Sequence, residues 1–242
     1  MDTAAFCQSA QHRNSVLWYD GIYMDELAKE YVISFFDKSL RLHGDRPEAV
    51  RWTAPGQIIH YKCMLDIAPS IEGSTILDFG CGKGDFYGFL KQNNIHVSYT
   101  GVDLNPGLID LAKQKYPGVP FSVFDITTDS LPNTSNGMFD YIFLCGVFNL
   151  KVQGLDKLIR LTLKKLFDHC SIGLAYNGLS THNHHKAHEL HYSAPEEILR
   201  FAIGELTPFV SLRQDRLYHD FTLFAYQRSN AFPDGWNNEG LR

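Results

Sequence analysis

Three aspartates and a run of glycines carry the strongest chemical signal in this 242-residue chain. Asp78 stands two residues before Gly80-Cys81-Gly82-Lys83-Gly84, and Asp103 and Asp125 follow downstream. Glycines at alternate positions let a backbone turn tightly and approach a ligand with no Cβ in the way. A carboxylate beside such a turn repels a pyrophosphate and suits a ligand with an ammonium group and a ribose. Asp103 is spaced to accept hydrogen bonds from ribose hydroxyls, and Asp125 to meet the exocyclic amine of an adenine. The G-x-G-x-G spacing alone is shared by many nucleotide-binding folds, so a nicotinamide or other nucleotide remains an alternative at this point.

Histidine is the second signal. The chain has 11, and five fall in His182-Asn-His-His-Lys-Ala-His-Glu-Leu-His191. On a helix His184 and His188 would share a face, as would His188 and His191, which is metal-ligand spacing. No HExxH signature accompanies them, and the expectation is a substrate-facing loop without a metal. Outside this cluster, His219 lies in the turn Arg213-Gln-Asp-Arg-Leu-Tyr-His-Asp220. Its imidazole titrates near working pH, which makes it the candidate base for an acceptor. In strand geometry His219 and Asp220 point to opposite faces and form no dyad. Asn149, Asn177 and Tyr192 are further candidates on the acceptor side.

These residues need elements to hold them. Residues 20–42 carry apolar side chains at helical steps, among them Ile22, Tyr23, Leu27, Tyr31, Val32, Phe35, Phe36 and Leu40. A second helix opens at Ala54-Pro55 and presents Ile58, Ile59, Tyr61, Met64 and Leu65. Beyond Pro69 short apolar strands alternate with helices. Strands are expected at 75–79, 97–102, 120–126, 139–148 and 171–176, and helices at 83–94, 105–116 and 153–167. Ser193-Ala-Pro-Glu196 reads as a capping box opening a helix to Leu206. The strands at 209–213 and 220–227 are too close for a parallel crossover and must form an antiparallel hairpin. The alternation predicts an α/β doubly wound sheet, mostly parallel, with ligands at the carboxyl ends of its strands.

The segments Leu77-Asp-Phe-Gly-Cys-Gly-Lys-Gly84, Gly101-Val-Asp-Leu-Asn-Pro106, Asp125 and Phe139-Asp-Tyr-Ile-Phe-Leu-Cys-Gly-Val-Phe-Asn-Leu150 together resemble the motif series of class I S-adenosylmethionine-dependent methyltransferases. The resemblance implies a Rossmann-like seven-stranded sheet with a reversed last strand. It implies S-adenosylmethionine as cofactor and S-adenosylhomocysteine as product. By matching position, Asp78, Gly80, Cys81, Gly82 and Gly84 contact the methionine part, and Asp103 and Leu104 hold the ribose and flank the adenine. Asp125 and Ile126 meet the adenine, while Cys145, Gly146 and Val147 line the sulfonium side. Trp52 and Gln57 are expected to close over the cofactor, by analogy with lids in small-molecule methyltransferases.

Residues 1–54 are therefore expected to form a helical lid, 55–228 the methyltransferase core and 229–242 a polar tail. Composition is that of an ordinary globular protein, 44% hydrophobic and 20% charged, with a net charge of −5. That charge argues against nucleic acid as substrate. The position after the fourth strand reads Cys145-Gly-Val-Phe-Asn149 and lacks the Asn/Asp-Pro-Pro-aromatic signature of many amine-methylating relatives. Five scattered cysteines without a CxxC pair suit a reducing cytoplasm. No basic-then-apolar leader and no membrane-spanning run is read in the sequence. The expected partner is a small molecule methylated on oxygen or nitrogen, with no membrane, by a monomer or homodimer. A peptide side chain as acceptor, or a catalytically silent binder of the cofactor, are the alternatives.

Overall fold

The computed structural model describes residues 26–134 and 137–229. Two helices come first, α1 (Glu26–His43) and α2 (Ala54–Leu65), with a 3-10 turn at Pro47–Val50 between them. There follow β1 (Thr75–Phe79), α3 (Asp85–Gln92), β2 (Ser98–Asp103), α4 (Pro106–Lys115), β3 (Phe121–Val123), β4 (Phe139–Cys145), α5 (Leu155–Phe167) and β5 (Cys170–Leu179). The chain then forms α6 (Pro195–Glu205), β6 (Val210–Arg213) and β7 (Asp220–Tyr226). Ile22 and Tyr23, and most of the expected tail, lie outside the described residues.

The strands form one sheet in the order β3-β2-β1-β4-β5-β7-β6. β1 to β5 pair in parallel, and β7 runs antiparallel to both β5 and β6. Alternation along each strand divides the core between the two faces. Ile76, Tyr141 and Phe143 pack on the side of α2, α3 and α4, whereas Leu77, Ile142 and Leu144 pack on the side of α5 and α6. α5 buries Leu155, Leu158, Ile159, Leu163 and Leu166, the face that its helical spacing defines. The inner strands are buried on both faces, as a parallel sheet covered by helices requires.

Local chemistry fixes where the helices begin. Asn105 caps α4 by accepting the Leu108 N–H at 2.8 Å, and Pro106 follows at the first helical position. Thr53 caps α2 through the Gly56 N–H. The expected capping box on α6 does not form: Ala194 is the cap residue and no side chain caps the helix. Ser193 instead donates its N–H to Leu179 O and accepts Thr181 N–H at its own carbonyl, which pins the chain to the end of β5.

Two expectations shift. β5 extends through Asn177, Gly178 and Leu179, because β7 pairs with all three and overrides their weak strand propensity. In α2 the apolar reading is partly inverted. Ile58 and Ile59 are 46% and 40% exposed, whereas Gln57 and His60 are buried.

Candidate cofactor and acceptor site

The glycine turn leaves β1 at the carboxyl edge of the sheet and is clipped to the end of β2. Gly80 and Cys81 donate their N–H groups to Val102 O at 2.8 and 3.0 Å. The Gly82 N–H donates to Asp103 Oδ2 at 2.8 Å, and the Asn105 N–H to Asp103 Oδ1 at 2.8 Å. Gly80 has φ +75°, and a Cβ there would lie 2.3 Å from Val147 Cγ2. Glycine is required at that position both by conformation and by space.

A cavity of about 1020 Å³ opens beside this turn. Its floor includes Gly80, Gly82, Asp103, Leu104, Asp125 and Ile126, and its far wall Cys145, Gly146 and Val147. A smaller cavity of about 360 Å³ shares Val50, Trp52, Gly80, Gly82 and Cys145 with it and adds Asp78 and Cys81. The two cavities are continuous at these shared residues and could take a bent ligand with two polar halves.

Each carboxylate has a distinct state. Asp78 is 2% exposed and accepts one hydrogen bond, from Tyr99 OH at 2.5 Å. Burial pushes its carboxyl up to about 7, against the Tyr99 bond and with help from the neighbouring Asp103 and Asp85 charges. Burial likewise raises Asp103, opposed by the backbone N–H groups of Asn105, Gly82 and Leu104. Asp125 goes the other way. Burial would raise it, but hydrogen bonds from Lys29 and Thr127 outweigh that and hold it below the usual carboxylate range.

α1 covers the Asp125 end of the large cavity. Val32 and Phe36 line it. Lys29 Nζ sits 2.7 Å from Asp125 Oδ2, and Asn105 Nδ2 donates to Ile33 O and Asp37 Oδ1. Among the described residues no apolar side chain of α1 joins either core cluster, so the helix is held by these polar ties and by the cleft itself.

Several expected residues lie elsewhere. Gly84 does not line either cavity; at φ +76° it opens α3 and packs so closely that a Cβ would meet Phe121 Cζ at 2.9 Å. Gln57 does not close over the ligand, because its amide donates to Asp85 Oδ2 at 2.9 Å. Asp85 also takes Lys83 and Lys115, both of which pair with Asp45. Cys81 is part of the apolar core as well as the cavity wall, and burial raises its thiol. Asp125 is already engaged by Lys29, Thr127 N–H and Thr127 Oγ1, which leaves little of its acceptor capacity for an adenine amine.

On the acceptor side the expected residues separate. Tyr192 OH accepts the Ala187 N–H at 2.9 Å and closes its own loop. The Asn149 carbonyl accepts His191 N–H at 2.9 Å and anchors that loop to the segment after β4. The 182–191 segment forms no helix, so the i, i+4 histidine geometry is not realised. His182 pairs with Glu196 and His191 with Asp156. Asn177 lines a third cavity, of about 290 Å³, with His60, Arg213, Gln214, Asp220 and Thr222. His219 is 34% exposed, and its Nε2 lies 3.7 Å from Asp220 Oδ1, so the pair makes no hydrogen bond.

His60 escaped the sequence reading. It is buried in α2, its Nδ1–H donates to Gly56 O at 2.6 Å, and its Nε2 meets Asp220 Oδ2. Trp52 packs on its ring with centroids 4.1 Å apart, and Trp52 in turn walls both ligand cavities. The only local signal was a histidine flanked by Ile59 and Tyr61 in a helix otherwise expected to be apolar.

Comparison with known proteins shows what the chain is similar to. Residues 77–173 match the family model described as a methyltransferase domain. The chain is 24% identical over 171 residues to a putative methyltransferase of Mycobacterium tuberculosis, covering 68% of this chain and all of that one. It is also 24% identical over 152 residues to a putative methyltransferase of Invertebrate iridescent virus 6, covering 59% of this chain and 56% of the viral one. Among solved structures, magnesium protoporphyrin IX methyltransferase from Synechocystis, crystallised with S-adenosylhomocysteine, superposes with TM-score 0.58 at 15% identity, covering 84% of this chain and 99% of that one.

Residues 77–173 thus carry a methyltransferase domain, and the sheet order is the fold seen in class I S-adenosylmethionine-dependent methyltransferases. The cofactor of that class is S-adenosylmethionine, and the paired cavities with Asp78 at one end and Asp103 in the middle fit it.

Proposed function

We propose that the protein methylates an oxygen or nitrogen atom of a small molecule. The observation that carries this reading is the covered cleft: α1 lies over the nucleoside end, held by Lys29–Asp125 and by Asn105 to Asp37. A covered cleft admits a compact acceptor more readily than a folded protein or a duplex. The net charge of −5 points the same way, since a nucleic-acid partner calls for a cationic face.

When bound, the cofactor would supply a sulfonium methyl group: the acceptor's lone pair takes it as the S–CH3 bond breaks, S-adenosylhomocysteine is left, and the acceptor's proton passes to water. The chain's own residues do the rest. Asp78 receives the ammonium group, which favours its ionised form. Asp103 accepts ribose hydroxyls with the lone pairs that its two backbone donors leave free. Leu104 and Ile126 would flank the base, and Cys145, Gly146, Val147 and Trp52 would line the sulfonium side. The acceptor approaches from the side of Asn177 and His219, and rate comes from holding the two reactants in line.

Calorimetry with S-adenosylmethionine tests the binding half of this reading, and absence of heat with folded protein overturns it. Mass spectrometry of metabolite-extract reactions tests the acceptor. A methyl-labelled small molecule is the expected result; label confined to protein or nucleic acid overturns it.

A further inference from the structure

The hairpin side of the molecule, from which the acceptor is proposed to approach, holds a cluster of metal-ligating side chains. His60, His219 and Asp220 each offer one ligand atom, all within 4.8 Å of one another. His60 and Asp220 are each 3% exposed, and the site lies at the carboxyl edge of β5 against the 290 Å³ cavity.

Hydrogen bonding shows what is missing there. His60 Nδ1–H donates to Gly56 O, so in the neutral ring Nε2 carries a lone pair, and that lone pair faces the Asp220 carboxylate. That contact is met by a proton held between the two groups or by a metal ion that moves them apart. Asp220 Oδ1 is fully buried and has no hydrogen-bond partner. His219 Nε2 stands 3.7 Å from that oxygen, too far for a hydrogen bond. A zinc-type ion bonded to imidazole and carboxylate at about 2.0–2.2 Å holds its ligand atoms roughly 3–3.5 Å apart, which asks for a small inward movement of His219 and a parting of His60 Nε2 from the Asp220 oxygen it now touches.

We propose that His60 Nε2, His219 Nε2 and Asp220 form a three-ligand divalent metal site of the zinc type, with its open position on the cavity. Imidazole and carboxylate donors suit zinc and its neighbours better than magnesium or calcium. The Gly56 carbonyl acts on His60 as an outer partner does on metal-bound histidines, fixing the tautomer and the ring plane. Asn177 contributes a further mark of a built site. Its Nδ2 donates to Phe221 O, which turns Oδ1 inward, and that oxygen is also buried without a donor. A metal-bound water or acceptor hydroxyl supplies the missing proton donor. The nearest cations do not occupy the site: Arg213 and Arg216 both pair with Asp66 at 3.0 Å. The inference rests on these side chains, and its test reads metal binding rather than methyl transfer.

The test is metal binding, measured without any activity assay. Exposed loop histidines can bind zinc adventitiously, so the measurements use His184→Ala/His185→Ala/His188→Ala as background. Chelator-stripped protein is dialysed against Zn2+ and assayed by elemental analysis, with about one equivalent per chain expected at micromolar metal. Co2+ is expected to give the intense d–d absorption of a four-coordinate site. His219→Ala, at a half-exposed position that leaves folding intact, is expected to weaken binding at least about tenfold and to change the Co2+ spectrum. Asp220→Asn, checked for folding by circular dichroism, tests the carboxylate in the same way. Failure of the background protein to bind zinc, or unchanged affinity in His219→Ala, overturns the proposal.

Discussion

The cofactor end and the hairpin end of the cleft are built by opposite means. Around the glycine turn every carboxylate already has partners: Asp103 takes two backbone N–H groups, Asp125 takes Lys29 and Thr127, and Asp78 takes Tyr99. At the hairpin end Asn177 Oδ1 and Asp220 Oδ1 are buried and lack a donor. A fully satisfied site is pre-organised to receive one ligand. A site with orphaned acceptors, each costing about 1–3 kcal/mol, is complete only when something arrives to pair them. The contrast suits a protein whose cofactor is shared across a class and whose acceptor is its own.

The largest expected break in this comparison is at Asp103. Asp103→Ala removes the acceptor for Gly82 and Asn105 N–H and for the ribose together. Losing charge-assisted hydrogen bonds of this kind costs about 3 kcal/mol, so affinity for S-adenosylmethionine is expected to fall roughly 100-fold by calorimetry. Affinity within a factor of two or so of the parent would remove Asp103 from the ribose site.

Next in size is Gly146, where β4 meets Trp52. Gly146 has φ +68°, and an added Cβ would lie 2.5 Å from Trp52 Cζ2. Gly146→Ala is expected to cost about 1–3 kcal/mol in stability and to weaken cofactor binding. In a Trp52→Ala background the steric part of that cost should disappear. Equal penalties in both backgrounds would show that Trp52 does not wall the cleft at this point.

A smaller effect is expected at Lys29, which ties α1 to the nucleoside end. Its ion pair with Asp125 is largely shielded, with side-chain exposures of 11% and 17%. Lys29→Ala is expected to weaken cofactor binding by only several-fold, about 1 kcal/mol, and to lower the salt sensitivity of the dissociation rate. The comparison is blunted if α1 can be loosened without altering that rate.

What the sequence made legible follows the same division. The glycine turn, Asp103 and the order of strands and helices are short-range features, readable from spacing within one strand–turn–helix unit. Strand–helix alternation predicts the doubly wound sheet, and the short loop before the last strand predicts the antiparallel β6–β7 hairpin; the seven-stranded Rossmann-like form comes from the resemblance. Lys29–Asp125 and His60–Asp220 were not reached, because their partners lie far apart in the chain and neither helix marks them by local pattern. α2 misled for a physical reason. The helix buries Gln57 and His60 against polar partners, Asp85 and Asp220, and leaves Ile58 and Ile59 outside. Hydrophobic periodicity predicts a greasy face and is blind to a buried polar one.

The smallest signal is a fraction of a proton, and it discriminates most finely between the two ends. Asp78 is raised in the folded chain from 3.8 to about 7, with burial the main cause. A group raised in this way contributes stability that is fully present below its unfolded value and is lost as pH climbs through its folded one. Asp78→Asn is therefore expected to flatten the decline in thermal stability between about pH 4 and pH 7. Binding reverses the shift. An ammonium group beside Asp78 favours the carboxylate, so at pH 7 about half a proton per site is released on cofactor binding, more at pH 6 and almost none at pH 9. Calorimetry in buffers of different ionisation enthalpy reads this directly, and Asp78→Asn should abolish it. A proton release that persists in Asp78→Asn would move the linked group away from the cofactor end, and the ammonium assignment would fall with it.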